Sequence, residues 1–223
     1  MLTIIPDVLS GKEVREICKI AASGTFVDGK ATAGYRAKRV KNNAQMKKQS
    51  DDEKSLNTML RDKLFQNSQF KAVAFPSRIA MPLISRCVPG MEYGLHMDDA
   101  VMNKTNPLRT DISVTIFLNN PTDYDGGELV MESPFGTQEL KLPMGAAAVY
   151  PSSTLHRVAP VSRGERLVAV TWVQSRVRDV RQREILADMD KVAKLLSKTK
   201  PEAAETDLAF KSYGNLLRMW ADI

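Results

Sequence analysis

Apolar residues recur at helical spacing near both ends of the chain and at strand spacing in its middle. Near the start, Val14, Ile17, Cys18 and Ala21 repeat with the period of an amphipathic helix. Ser10 and Glu13 stand before them at capping-box spacing. Ser50 and Glu53 repeat the device before Leu56, Met59, Leu60 and Leu64. Between the two lies a basic, glycine-containing segment, read as loop with some extended structure. Residues 1–70 are thus predicted to be a mostly helical support packed on whatever follows.

From 71 to 178 the period shortens. The segments Arg78–Val88, Asp111–Leu118, Gly127–Glu132, Gln138–Lys141, Ala146–Tyr150 and Arg166–Val173 read as strands. Turn signals separate them at Pro89-Gly90, Asp125-Gly126-Gly127, Pro143-Met144-Gly145 and Arg163-Gly164. Short strands punctuated in this way predict a sandwich or jelly roll. Residues 179–223 return to helical spacing. Ile185, Met189, Val192 and Leu196 form one stripe, and Leu216, Leu217 and Trp220 form another after Pro201. Such stripes pack against the β-core or a partner subunit, so a homodimer is one expectation. The fold class is α+β, mainly β: a β-core flanked by N-terminal and C-terminal helices.

Composition narrows this picture. The 223 residues suit one fair-sized domain, or one domain with a helical appendage. No apolar run approaches the roughly 20 residues of a bilayer-spanning helix, so no membrane span is expected. The opening MLTIIPDVLSGKEV lacks the basic start, apolar run and small-residue cleavage site of a signal peptide. With only Cys18 and Cys87, there is neither a disulfide scaffold nor a CxxC zinc pair. A reducing, cytoplasmic location follows as the default. The net charge of +6 is concentrated partly in YRAKRVKNNAQMKK (35–48) and in Arg176–Arg183. Without a nucleic-acid motif this reads as a solvated basic surface.

Histidine changes the picture most, because the chain has only His96 and His156. His96-Met97-Asp98 is an H-x-D triplet. On extended backbone, residues i and i+2 project to one face, so an imidazole and a carboxylate can reach one ion. That mixed donor pair suits Fe(II), Mn(II), Ni(II) or Zn(II) rather than magnesium or calcium. An isolated H-x-D is weak, but His156 follows a strand-like run 60 positions on. In a jelly roll a later strand can return beside an earlier one. His96, Asp98 and His156 then form a 2-His-1-carboxylate set with open positions for substrates. Arg166 opens the run RLVAVTWV, ten residues after His156. A guanidinium buried there would fork onto a carboxylate, as the distal end of a 2-oxo diacid requires. The alternative of a surface arginine near a turn suits Arg163 better.

These residues resemble the Fe(II)/2-oxoglutarate dioxygenase superfamily, and more narrowly the bacterial PKHD-type hydroxylases, relatives of prolyl hydroxylases. The resemblance rests on RCVPGMEYGLHMDDAVM (86–102), LRTDISVTIFL (108–118), DYDGGELV (123–130), KLPMGAAAVYPSSTLHRVAPVSRGER (141–166), WVQSRVRD (172–179) and NLLRMWAD (215–222). It covers nearly the whole chain. It implies a double-stranded β-helix core at 71–178, between helical regions 1–70 and 179–223. It implies iron at His96, Asp98 and His156, 2-oxoglutarate at Arg166, O2 as co-substrate and L-ascorbate as reductant. The expected reaction is hydroxylation of an unactivated C–H bond with release of succinate and CO2. The family commonly has Arg-Tyr where this chain has Arg86-Cys87, so a tyrosine that often helps to hold 2-oxoglutarate is missing. Tyr93 and Tyr150 are candidates to replace it, and neither is favoured. Two other readings stay open: a jelly-roll metalloenzyme that does not use 2-oxoglutarate, and a non-catalytic, metal-stabilised binding protein. The primary substrate is not legible, although a protein side chain or a small molecule is favoured over nucleic acid.

Overall fold

The computed structural model describes residues 1–32, 34, 37–47 and 51–222, with only the backbone at Thr32 and 51–53. The cap expected from Ser50 and the Glu53 side chain lies outside them, as do Tyr35, Arg36 and Lys48 of the basic segment. The chain opens with β1 (Thr3–Ile5), α1 (Gly11–Ser23), β2 (Phe26–Asp28), β3 (Lys41–Asn42), β4 (Ala44–Met46), α2 (Asp51–Gln66) and α3 (Ser68–Ala74). Next come β5 (Pro76–Ile79), β6 (Leu83–Cys87), β7 (Glu92–His96), β8 (Val101–Met102), β9 (Leu108–Arg109) and β10 (Ile112–Phe117). Then follow β11 (Tyr124–Gly126), β12 (Leu129–Ser133), β13 (Gly136–Leu140), β14 (Ala147–Pro151), β15 (His156–Val158), β16 (Val161–Gly164) and β17 (Arg166–Ser175). The chain ends with α4 (Val180–Thr199) and α5 (Ala204–Trp220).

Two antiparallel sheets carry the architecture. The larger runs β1-β14-β10-β17-β6-β4-β2, with β5 also paired to β17. The smaller runs β13-β12-β15-β7-β3. The central strands of the larger sheet are buried on both faces, and strict alternation sorts their side chains. Ile112, Val114, Ile116, Val149, Leu167, Ala169 and Val173 join Val14, Ile17, Leu60, Leu64 and Phe70 in a core beneath helices α1, α2 and α3. Phe117, Ala148, Tyr150 and Val168 face the other way and meet Leu129 and Met131 of the smaller sheet. Each fully buried Leu or Ile in these layers contributes on the order of 2 kcal/mol. The helices therefore support one face of the larger sheet, which leaves its other face for the site.

Local chemistry explains the boundaries. Helix α1 begins where both halves of a capping box close: Ser10 N donates to Glu13 Oε2 at 2.8 Å, and Glu13 N donates to Ser10 Oγ at 3.3 Å. Val14, Ile17 and Ala21 form its buried face, as their spacing predicts. The single strand expected over Arg78–Val88 is instead two, β5 and β6, interrupted at Ala80-Met81-Pro82. Pro82 has no N–H to continue a ladder. Among the described residues, the first seventy positions hold four short strands as well as helices. One of these, β3, pairs with β7 of the smaller sheet, while the next, β4, pairs with β6 of the larger. Residues 41–46 thus span the two sheets along one edge.

Helix α5 packs through Leu216, Leu217 and Trp220 onto Phe75 after α3, Val177 and Leu186 of α4, so the second stripe is buried within the chain, against helices rather than the β-core. The first stripe is different. Ile185 and Val192 are about half exposed, and the buried face of α4 is Arg183, Leu186, Ala187 and Ala193. Small alanines let α4 sit close to its support, so of the two expected uses of the first stripe, packing on the β-core is not the one this chain makes.

Candidate metal and co-substrate site

Strands β7 and β15 are hydrogen-bonded neighbours, and their register sets His96 directly opposite His156. Facing residues in an antiparallel pair project to the same side, which brings the imidazoles together with ring centroids 4.3 Å apart. Asp98 follows two residues after His96 and completes the group. Its Oδ1 lies 4.0 Å from His96 Nε2 and its Oδ2 lies 4.0 Å from His156 Nε2. The three donor atoms all lie within 4.8 Å of one another.

Both imidazoles are held by the same device. His96 Nδ1 donates to Gly94 O at 2.8 Å, and His156 Nδ1 donates to Thr154 O at 2.9 Å. Each ring therefore carries its proton on Nδ1 and presents the Nε2 lone pair to the common point. Tyr93 stacks on His96 at 3.6 Å and 13°, while Tyr150 meets His156 edge-on at 5.2 Å. Burial, with the His156 ring beside it, pushes the His96 imidazole down to about 4. At neutral pH His96 is uncharged, the form that ligates metal. Asp98 accepts from the Ser113 hydroxyl, which is itself bonded to Ser152 Oγ at 2.8 Å. Ser113 lies on β10 and faces the inter-sheet space, so the larger sheet orients a carboxylate carried beside the smaller one.

These groups line a cavity of about 630 Å³ between the sheets. Arg166, the first residue of β17, enters it from the larger sheet and is only 3% exposed. Among the described residues its Nε has no hydrogen-bond partner. Cys87 stands directly opposite Arg166 in the β6–β17 pairing and also lines the cavity. Burial pushes its thiol up, so it stays neutral. Lys41, Asn43 and Gln45, alternate residues of the sheet-spanning segment, form a buried polar wall. Burial lowers the Lys41 ammonium to about 8.

The residues fit an iron ion and a 2-oxo diacid. Two neutral imidazoles and a carboxylate on one side of a cavity form a donor set for a first-row divalent ion with positions left open. A buried guanidinium in the same cavity fits a carboxylate.

Several neighbouring residues fall outside the group. Arg163 pairs with Asp125 on the surface. Arg109 donates to Asp111 and to the Ser175 carbonyl, and Arg86 covers the Phe26 ring. Neither lines the cavity. Trp172 lines the cavity with its indole N–H buried and without a partner among the described residues. Sequence reading passed over Tyr124 and Ser113. Ser113 alternates with Ile112 and Val114 and so could have been placed facing the site. No spacing rule ties Tyr124 to a site residue 42 positions away.

Comparison with known proteins agrees with this geometry. Residues 82–174 match the 2OG-Fe(II) oxygenase superfamily, and residues 181–222 match the PKHD-type hydroxylase C-terminal domain. A PKHD-type hydroxylase of Synechococcus sp. (strain JA-2-3B'a(2-13)) is 47% identical over 224 residues, which is 100% of both chains. Among solved structures, a prolyl-4-hydroxylase from Pseudomonas putida superposes with a TM-score of 0.55 at 19% identity, covering 78% of this chain and 92% of that one. A prolyl hydroxylase from Trichoplax adhaerens, in complex with a hypoxia inducible factor peptide fragment, superposes at 0.54 with 16% identity, covering 77% and 82%. These likenesses show that the two-sheet core has the jelly-roll fold of those two proteins. Full-length identity at this level decides the family: the chain belongs to the PKHD-type hydroxylases, Fe(II)- and 2-oxoglutarate-dependent oxygenases of the 2OG-Fe(II) superfamily.

Proposed function

We propose that His96, Asp98 and His156 hold the iron and that Arg166 holds the C5 carboxylate of 2-oxoglutarate. The observation that carries this reading is the register of His96 opposite His156, with Asp98 oxygens 4.0 Å from both Nε2 atoms and a buried guanidinium in the same cavity. Bound iron, with 2-oxoglutarate and O2, supplies oxygen insertion into an unactivated C–H bond, with succinate and CO2 as by-products. The chain's own groups do the positioning. The Gly94 and Thr154 carbonyls fix the imidazole tautomers, Ser113 orients Asp98, and Arg166 neutralises the distal carboxylate. The two sheets exclude water around them.

The primary substrate is a protein side chain or a small molecule rather than a nucleic acid. Met81, Met97 and Val101 stand exposed on the cavity rim at 37%, 52% and 60%. Such a rim suits an apolar or peptide partner better than a phosphate backbone. The peptide complex of the Trichoplax protein supports the same side. The core at 71–178 is the catalytic unit on this reading, and 1–70 and 179–223 support it. Among the described residues no helix is long and apolar enough to cross a membrane. Two free cysteines fit a cytoplasmic setting. Exposed Ile185, Val192 and Leu208 mark where a homodimer would form.

The test is anaerobic titration with Fe(II) and then 2-oxoglutarate, followed by the weak visible charge-transfer band and then by succinate release on admitting O2. His96→Ala is expected to lose the band and Arg166→Ala to weaken co-substrate binding. Parent-like behaviour of both variants would end the assignment. Candidate peptides should stimulate succinate release, whereas salt-sensitive stimulation by DNA or RNA would favour the nucleic-acid alternative.

A further inference from the structure

Two buried polar atoms without well-formed partners among the described residues come from side chains that meet over Gly127, behind the point where Arg166 lines the cavity. Tyr124 is 1% exposed, and neither its hydroxyl nor Arg166 Nε makes a well-formed hydrogen bond among the described residues. The guanidinium lies close enough to the phenol to perturb its ionisation. The surroundings offer little to either group. The Phe117 ring lies 5.6 Å from Arg166 Cζ, and the neutral Cys87 thiol faces Arg166 across the strand pair. A buried polar group left unpaired costs roughly 1–3 kcal/mol, so native structures retain few of them without a reason.

The backbone is shaped around this pair. Gly127 has φ +68°, and a Cβ there would stand 2.9 Å from Arg166 Cδ and 3.0 Å from Tyr124 Cε2. Only glycine takes that conformation readily and lets both side chains close over it. From the other side Lys141 fixes the tyrosine: its Nζ lies 4.2 Å from the ring centroid and donates to the Tyr124 carbonyl at 2.6 Å. The ring is thus held between Gly127 and Lys141 with its hydroxyl beside the guanidinium.

We infer that Tyr124 is the positioning residue for Arg166: its hydroxyl accepts from Arg166 Nε when 2-oxoglutarate binds, setting the guanidinium plane so that its two terminal nitrogens fork onto the C5 carboxylate. This rests on the reading of Arg166 as the co-substrate's partner. An arginine offers its donors in a rigid plane, so fixing Nε fixes the direction of the remaining fork. The phenol is suited to the role because burial raises it further from ionisation, and it remains a neutral acceptor. It touches neither iron nor substrate in this role and acts through Arg166.

The experiment compares Tyr124→Phe, Arg166→Met and the parent by anaerobic 2-oxoglutarate titration of the Fe(II) enzyme. Mn(II) affinity and the thermal midpoint of the ligand-free protein are measured beside it. Tyr124→Phe is expected to weaken 2-oxoglutarate binding roughly ten- to a hundred-fold, the loss of one hydrogen bond to a charged group. It should raise KM for 2-oxoglutarate with kcat nearly unchanged. Mn(II) affinity should not move, and the ligand-free midpoint should hold or rise, because an unpaired buried hydroxyl has been removed. Parent-like 2-oxoglutarate affinity in Tyr124→Phe, with Arg166→Met impaired, would overturn the inference and leave the Arg166 reading standing. So would a fall in midpoint together with weaker Mn(II) binding, which is the mark of a purely structural tyrosine. Parent-like affinity in Arg166→Met would overturn both.

Discussion

The Ser113 hydroxyl donates to the Asp98 carboxylate and is bonded in turn to Ser152 at 2.8 Å. Ser113 comes from the centre of the larger sheet, whereas Asp98 follows the end of a smaller-sheet strand. One hydrogen bond therefore ties the position of a ligand to the spacing of the two layers. Removing it leaves the carboxylate present but free to rotate. Ser113→Ala is expected to lower Mn(II) or Fe(II) affinity about 10–100-fold, the range for losing a group that orients a ligand. Metal titration followed by calorimetry checks this, and an unchanged affinity would show that Asp98 is held by other means.

Arg166→Lys separates charge from geometry. Lysine keeps the positive charge but loses the planar fork. The expected result is 2-oxoglutarate affinity between those of the parent and Arg166→Met, with metal affinity unchanged. Equal affinity in Arg166→Lys and the parent would mean that charge alone holds the co-substrate.

Glu13 gives the fold a pH-sensitive joint. Its side chain closes the α1 capping box and forms an ion pair with Lys63 of α2. The Lys63 partner, followed by bonds from Ser10, lowers its carboxyl from 4.5 to about 2. A carboxyl depressed in the folded state contributes stability that is fully present above pH 4.5 and disappears as pH falls from there toward 2. Both partners are partly solvated, so Glu13→Ala should cost about 1 kcal/mol at pH 7. The cost should vanish near pH 2, and Glu13→Gln, which can keep the box, should cost less. Urea unfolding at pH 7 and in acid measures the difference.

Leu60 is fully buried where α2 meets the larger sheet. Leu60→Ala should cost roughly 2–5 kcal/mol through the cavity it leaves. That corresponds to a fall of about 2–4 °C in thermal midpoint per kcal/mol for a chain of this size. Residual 2-oxoglutarate affinity below the new midpoint should match the parent, because α2 supports the face of the sheet opposite the site.

Much of this protein is legible in its sequence. Period-two runs between turn signals marked out the β-core, and Ser10 with Glu13 marked the start of α1, because both are rules about near neighbours. Candidate ligands emerged because histidine is scarce here and H-x-D spacing places two donors on one face. Local spacing was weaker where packing decides. Pro82 split a strand read as one, and α4 buried Leu186 and Ala193 rather than Ile185 and Val192. Residue types and intervals alone determined which groups could meet an ion and a carboxylate. Only tertiary structure set His96 opposite His156, aimed Ser113 at Asp98 and brought Tyr124 and Arg166 together over Gly127. These relations join distant segments through strand register and layer spacing. Register is a property of the whole sheet, decided by which buried faces fit together, and no single segment contains it.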